Sequence, residues 1–131
     1  MTVSQFLVLL YDNVDDADQW LHMSPEEMQR VIEKLVAWSE GLSAQGRLVA
    51  SEKLRDGSGR VLRGRGGSPT VHDGPFSETK EIIGGYFIVA AADYAEAVRL
   101  TRNCPHLEYG GTIEIREIEP MAVPEQAPAV A

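Results

Sequence analysis

Two short runs constrain this chain more than anything else in it. Gln5 to Tyr11 (Gln-Phe-Leu-Val-Leu-Leu-Tyr) and Tyr86 to Ala90 (Tyr-Phe-Ile-Val-Ala) are apolar at odd and even positions alike. Both are too short to stand as helices, and a strand that is apolar on each of its alternating faces asks for cover on both sides. The rest of the chain has to supply that cover.

Part of it is written as helices. Ser24-Pro25-Glu26-Glu27 sets a capping serine, a proline at the first helical position and a glutamate at the third, the pattern of a capping box. Met28, Val31, Ile32, Leu35, Val36 and Leu42 then fall on one helical stripe, which predicts a helix from 25 to about 44, stopped by Gly46. Asp93, with Glu96 as its box partner, opens a second helix whose buried stripe is Ala97, Val98 and Thr101, and Pro105 closes it. Leu48 to Leu54 reads as a strand and Asp56-Gly57-Ser58-Gly59 as a turn rich in residues that accept positive φ. Arg60 to Arg63 is then the return arm of a hairpin, Gly64 to Ser68 its flexible tip, and Pro69 to His72 extended chain. Glu78 to Ile82 reads as a helical turn, Pro105 to Gly111 as a polar and aromatic loop, and Thr112 to Ile118 as the last strand.

The order is β-α-β-β followed by β-α-β, which predicts an α+β fold: a ferredoxin-like split β-α-β sandwich with an antiparallel sheet and two helices on one face. The opposite face is left apolar and uncovered. Two copies are therefore expected to pack sheet to sheet as a homodimer, forming a dimeric α+β barrel.

With 131 residues the chain suits one domain, placed at 1–120, and the Ala-, Pro- and Val-rich segment 121–131 reads as a disordered tail. The apolar runs are too short to span a membrane, and Met-Thr-Val-Ser-Gln lacks the basic flank of a signal peptide, so a cytoplasmic location is expected. A single cysteine, Cys104, fits a reducing compartment and excludes an internal disulfide. The net charge of −8 argues against nucleic acid and anionic membrane as partners. Arg47, Lys53, Arg55, Arg60, Arg63 and Arg65 nevertheless face only Glu52 and Asp56 in their segment, either as solvated surface or as a basic flap over an anionic ligand.

The densest chemistry lies between Val71 and Tyr86. Asp73-Gly74-Pro75 must turn, because proline lacks the donor N–H and glycine admits backbone angles closed to other residues. His72 and Asp73 then sit at a strand end, where polar side chains can reach a cleft. Adjacent residues of extended chain point to opposite faces, so His106, from the later loop, is the better candidate to meet Asp73, with His72 the other candidate base. Asp73 could instead bond the N–H groups of its own turn. Lys80 or Arg116 could hold negative charge on a ligand, and Glu78 and Phe76 border the same turn. Tyr11, ending its strand, could present its hydroxyl to the cleft. Glu114 and Arg116 share one face of the last strand, where Arg116 is expected to pair with Glu78 or Glu114 as a structural ion pair. No His-x-x-x-His or Cys/His spacing suggests a metal, and composition implies no cofactor.

At this stretch the chain resembles the YCII-related family, in its DGPF-type branch. The matching residues are Asp73-Gly74-Pro75-Phe76, Glu78-Thr79-Lys80-Glu81, Gly84-Gly85-Tyr86, Cys104-Pro105, Gly110-Gly111 and Ile113-Glu114-Ile115-Arg116, within a resemblance running from about residue 4 to 120. It implies a ferredoxin-like fold and a dimeric α+β barrel. Shorter members look like enzymes with a His-Asp pair in a cleft near the dimer interface, and DGPF-type members are often encoded beside extracytoplasmic-function sigma factors. The histidine that the shorter members carry on their first helix has no counterpart between Ser24 and Gln45. The resemblance leaves two functions open: a dimer binding a small polar or anionic molecule, with acid/base chemistry around the Asp73 turn, or a non-catalytic regulatory module acting through a protein such as a sigma factor.

Overall fold

The computed structural model describes residues 3–13, 22–64, 66–74 and 81–121. Its elements are β1 (Ser4–Asn13), α1 (Pro25–Ala44), β2 (Leu48–Lys53), β3 (Arg60–Arg63), β4 (Thr70–Asp73), β5 (Glu81–Ala91), α2 (Tyr94–Thr101), α3 (Pro105–Glu108) and β6 (Thr112–Glu117). The fold is a mixed α+β one. Four strands form an antiparallel sheet in the order β2-β5-β1-β6, and β3 pairs with β4 in a separate two-stranded sheet. The two long apolar strands, β1 and β5, take the centre. The shorter strands with Glu52, Lys53, Glu114, Arg116 and Glu117 take the edges, where charge discourages further pairing.

The helices begin where the capping residues stand. Ser24 Oγ accepts from the Glu27 N–H at 3.1 Å, and Asp93 Oδ1 from the Glu96 N–H at 2.9 Å. Glu96 in turn reaches back to the Ala92 N–H at 3.0 Å and pairs with Arg47 at 2.9 Å, tying α2 to the residue that precedes β2. Phe6, Val8, Phe87, Val89 and Ala91 meet Leu42 of α1 and Ala97 of α2 in the core. Edge-on ring contacts of Phe6 with Tyr94 and Trp38 with Phe87 fix each helix against the sheet. Phe6 has no exposed surface. Removing its ring costs about 3–5 kcal/mol, a large share of the roughly 5–15 kcal/mol that holds such a domain together.

Several expectations need correction. Among the described residues the sheet is open, with β2 and β6 as its unjoined edges, so the dimeric α+β barrel is not formed. Uncovered apolar surface does not force closure here: on the face away from the core, Leu7, Leu9, Tyr86, Ile88 and Ala90 are each already half-buried within one chain. Neighbouring side chains on a twisted sheet shield one another, and polar Tyr11, Glu52, Glu114 and Arg116 interrupt the greasy area. The Arg60–Arg63 arm does not return along β2. It pairs forward with Thr70–Asp73 in a hairpin of its own, while β2 pairs with β5. Glu81 and Ile82 belong to β5 rather than to a helical turn, and the loop at Pro105 contains the short helix α3. The tail expected at 121–131 lies, beyond Met121, outside the described residues.

The pairing of the two central strands is irregular at one point. The β1–β5 register passes from Leu10 opposite Gly85 to Tyr11 opposite Ile83, leaving Gly84 as an extra residue in β5. A Cβ at Gly84 would collide with the Asp12 carboxylate. The bulge thus lets a carboxylate lie directly on the sheet backbone.

Candidate functional site

The C-terminal end of β1 carries Tyr11 and Asp12 side by side, and alternation sends them to opposite faces of the sheet. On the face away from the core, Tyr11 lies opposite Thr112 and Leu9 opposite Glu114 in the β1–β6 register. Tyr11 and Glu114 are therefore diagonal neighbours across the strand pair, within reach of a long aromatic side chain. The Tyr11 hydroxyl donates to Glu114 Oε1 at 2.8 Å, and the Thr112 hydroxyl to Glu81 Oε1 at 3.3 Å. These four residues line an open recess of about 330 Å³. The Glu114 carboxylate, by accepting the phenol's proton in a hydrogen bond, pushes the Tyr11 hydroxyl above its ordinary value of 10.0. Partial desolvation and the charges of Glu114 and Glu81 push the same way, while Arg116 pulls it down. The recess is thus lined by two carboxylates, Glu81 and Glu114, with Arg116 close by.

On the other face Asp12 meets His106. Cys104 precedes α3 and Pro105 occupies its first turn, which swings His106 inward until only 9% of it is exposed. Its Nε2 lies 2.7 Å from the Tyr11 carbonyl. A carbonyl can only accept, so Nε2 carries the proton in this bond. The same nitrogen stands 4.0 Å from Asp12 Oδ1. Burial raises the Asp12 carboxyl above its ordinary 3.8, with His106 pulling it down, Asp56 pushing it up and Lys53 pulling it down. A Cβ at Gly111 would overlap the His106 ring. Glycines at 84 and 111 therefore make room for the acid and the imidazole respectively. Cys104, beside this pair, is buried, and desolvation pushes its thiol up to about 11, partly offset by the main-chain N–H of His106.

Among the described residues, those singled out from sequence stand at different places. His106 stands with Asp12 and Tyr11, and Asp73 is an exposed acid whose partner is Arg60 at 3.5 Å. His72 is exposed, with Nε2 at 3.2 Å from Thr70 Oγ1, on the face of the β3–β4 hairpin opposite Asp73. Tyr11 borders the recess, and Arg116 is exposed on the same sheet face, close enough to influence the Tyr11 hydroxyl. Phe76, Glu78 and Lys80 lie outside the described residues. Sequence reasoning did not single out Asp12, Glu81 or Thr112 as site residues, and it read Glu114 only as half of an ion pair. Asp12 was hidden among neighbouring acids in the sequence, Asp15, Asp16 and Asp18. Its signal was indirect, in Gly84 on the neighbouring strand. Among the described residues no three metal-ligating side chains converge. No helix among them is long and apolar enough to cross a membrane.

The model of the YCII-related domain matches residues 4–122, nearly the whole chain. The protein belongs to the YCII-related family. An uncharacterised protein of Rhizobium meliloti (strain 1021) is 30% identical over 115 residues, covering 86% of this chain and 90% of the relative. In this YCII-related protein the matched region contains both faces of the β1 end, the Asp12–His106 pair and the recess.

Proposed function

We propose that this YCII-related protein binds a small polar molecule in the recess bounded by Tyr11, Glu81, Thr112 and Glu114, with Glu114 as the acid/base group. The observation that carries the reading is the 2.8 Å bond from the Tyr11 hydroxyl to Glu114 inside a recess of about 330 Å³. A space of that size suits a small metabolite-like molecule at the lower end of ordinary ligand sites. Tyr11 orients the carboxylate and keeps one of its oxygens engaged, leaving the other to accept a proton or hydrogen bond from the ligand. Glu81, bonded by Thr112, supplies a second acceptor. The Glu81 and Glu114 carboxylates that line the recess favour a neutral or cationic hydrogen-bond donor over an anion. His106 and Asp12 act from behind, fixing the backbone of Tyr11 rather than touching the ligand.

The test is amide NMR of the ¹⁵N-labelled protein titrated separately with ethanolamine and acetate. Shifts centred on Tyr11, Thr112 and Glu114 with ethanolamine, weakened at least tenfold by Glu114→Gln, are expected. Equal responses to both probes, or shifts that avoid these strands, overturn the assignment.

A further inference from the structure

Glu114 and Arg116 carry opposite charges on one face of β6, yet they do not pair with each other. Glu114 is engaged by the Tyr11 hydroxyl, and Glu78, the other acid expected to pair with the arginine, lies outside the described residues. Among the described residues Arg116 makes no ion pair. It is exposed, and its charge reaches the Tyr11 hydroxyl at the rim of the recess, whose pKa it pulls down.

The ground between the two charges is apolar. In the β1–β6 register Leu9 is opposite Glu114 and Leu7 is opposite Arg116. Alternation puts both leucines on the same sheet face as the charges, where they are half-buried. Two strand residues at roughly 3.3–3.4 Å each set the Glu114 and Arg116 Cα atoms about 7 Å apart. A molecule lying along β6 therefore meets a carboxylate at one end, a guanidinium at the other and leucine side chains beneath its middle. Several methylenes between an ammonium and a carboxylate match that spacing and that floor. The guanidinium can hold a carboxylate through two parallel N–H···O bonds. Such a molecule has no net charge, so the chain's −8 does not repel it as it repels a free anion.

We infer that the recess and Arg116 together take a short zwitterion, an ω-amino carboxylate whose ammonium meets Glu114, whose methylenes lie over Leu9 and Leu7, and whose carboxylate meets Arg116. This ligand class rests on the recess being the binding site, and it adds a second point of attachment outside it.

The probes are 4-aminobutanoate and 4-aminobutanamide, which share the ammonium and the chain and differ only in the charge at the far end. Each is titrated into the full ¹⁵N-labelled chain and followed by NMR. Both are expected to shift the amides of Tyr11, Thr112 and Glu114. The carboxylate is expected to bind at least tenfold more tightly than the amide and alone to move the Arg116 Nε–H signal, and Arg116→Gln to bring the two affinities together. Unchanged amides at Phe6, Val8 and Val89 show that the variant keeps its fold. Equal affinities in the parent, an unmoved Arg116 signal, or a preference that survives Arg116→Gln overturns the assignment. If both ammonium probes still shift the recess in that event, the recess reading stands without the zwitterion; if neither does, both fall.

Discussion

The His106 imidazole donates from Nε2 to the Tyr11 carbonyl, 2.7 Å away, and so completes a strand edge with a side chain. Tyr11–Thr112 is the last β1–β6 pair in register, so the imidazole holds the carbonyl at the end of that pairing. Because Tyr11 also sends its hydroxyl to Glu114, one residue links a buried histidine on one side of the sheet to the recess on the other.

Gly111 and Gly84 should respond differently to alanine. At Gly111 the new methyl meets the His106 ring, which α3 holds in place, and Gly111→Ala should cost about 1–3 kcal/mol, as other forced overpacking does. At Gly84 it meets the end of the Asp12 side chain, which can swing aside, so Gly84→Ala should cost less. Urea midpoints of the two variants check the order, and loss of the Tyr11 hydrogen bond should accompany only the first.

Asp12 should make stability depend on pH in a defined direction. Its folded pKa is raised by burial, so the folded state holds the proton more tightly than the unfolded chain does. The stability it contributes is present below its ordinary 3.8 and is lost as pH rises through the raised value. Asp12→Asn removes that dependence. The variant should melt higher than the parent at pH 7, and the gap should close as the pH is lowered below 3.8, as read by thermal denaturation across a pH series.

Tyr11 should ionise above 10, and Glu114→Gln should bring it back toward that value, because the charged acceptor is the chief cause of the shift. Ultraviolet titration of the parent and of Glu114→Gln, each against the matching Tyr11→Phe background to subtract the other tyrosines, isolates the signal. Unchanged titration in Glu114→Gln contradicts the 2.8 Å bond.

Cys104 should be inert in the folded protein. Burial keeps its thiol protonated, with a pKa near 11, and shields it from reagents. Ellman's reagent at pH 8 should leave it unmodified until denaturant is added, then titrate one thiol per chain.

The central strands and both helix starts were legible in the sequence, because two-sided apolar runs and capping residues act locally: Ser24 and Asp93 cap where they stand. Strand partners were less legible. Arg60–Arg63 could follow a turn out of β2, but it pairs with Thr70–Asp73 instead, and no local turn residue distinguishes the two partners. The site followed the same division. Tyr11 at a strand end was visible, whereas its partner Glu114 is 103 positions away. The partnership of His106 with Asp12 depended on two glycines whose value lies only in the side chains they leave space for. Sheet closure failed as an expectation because apolar count was taken for exposed area, and Leu7, Leu9 and Ile88 half-bury one another within a single chain.

The proposed site requires Tyr11 and Glu114 to work as one unit in holding a ligand. A double-mutant cycle of Tyr11→Phe, Glu114→Gln and the pair, read as ethanolamine affinity by NMR titration, tests this most directly. Each single change is predicted to weaken binding at least tenfold, and the double variant to be scarcely weaker than either. Losses that simply multiply, or affinities equal to the parent's, would contradict it.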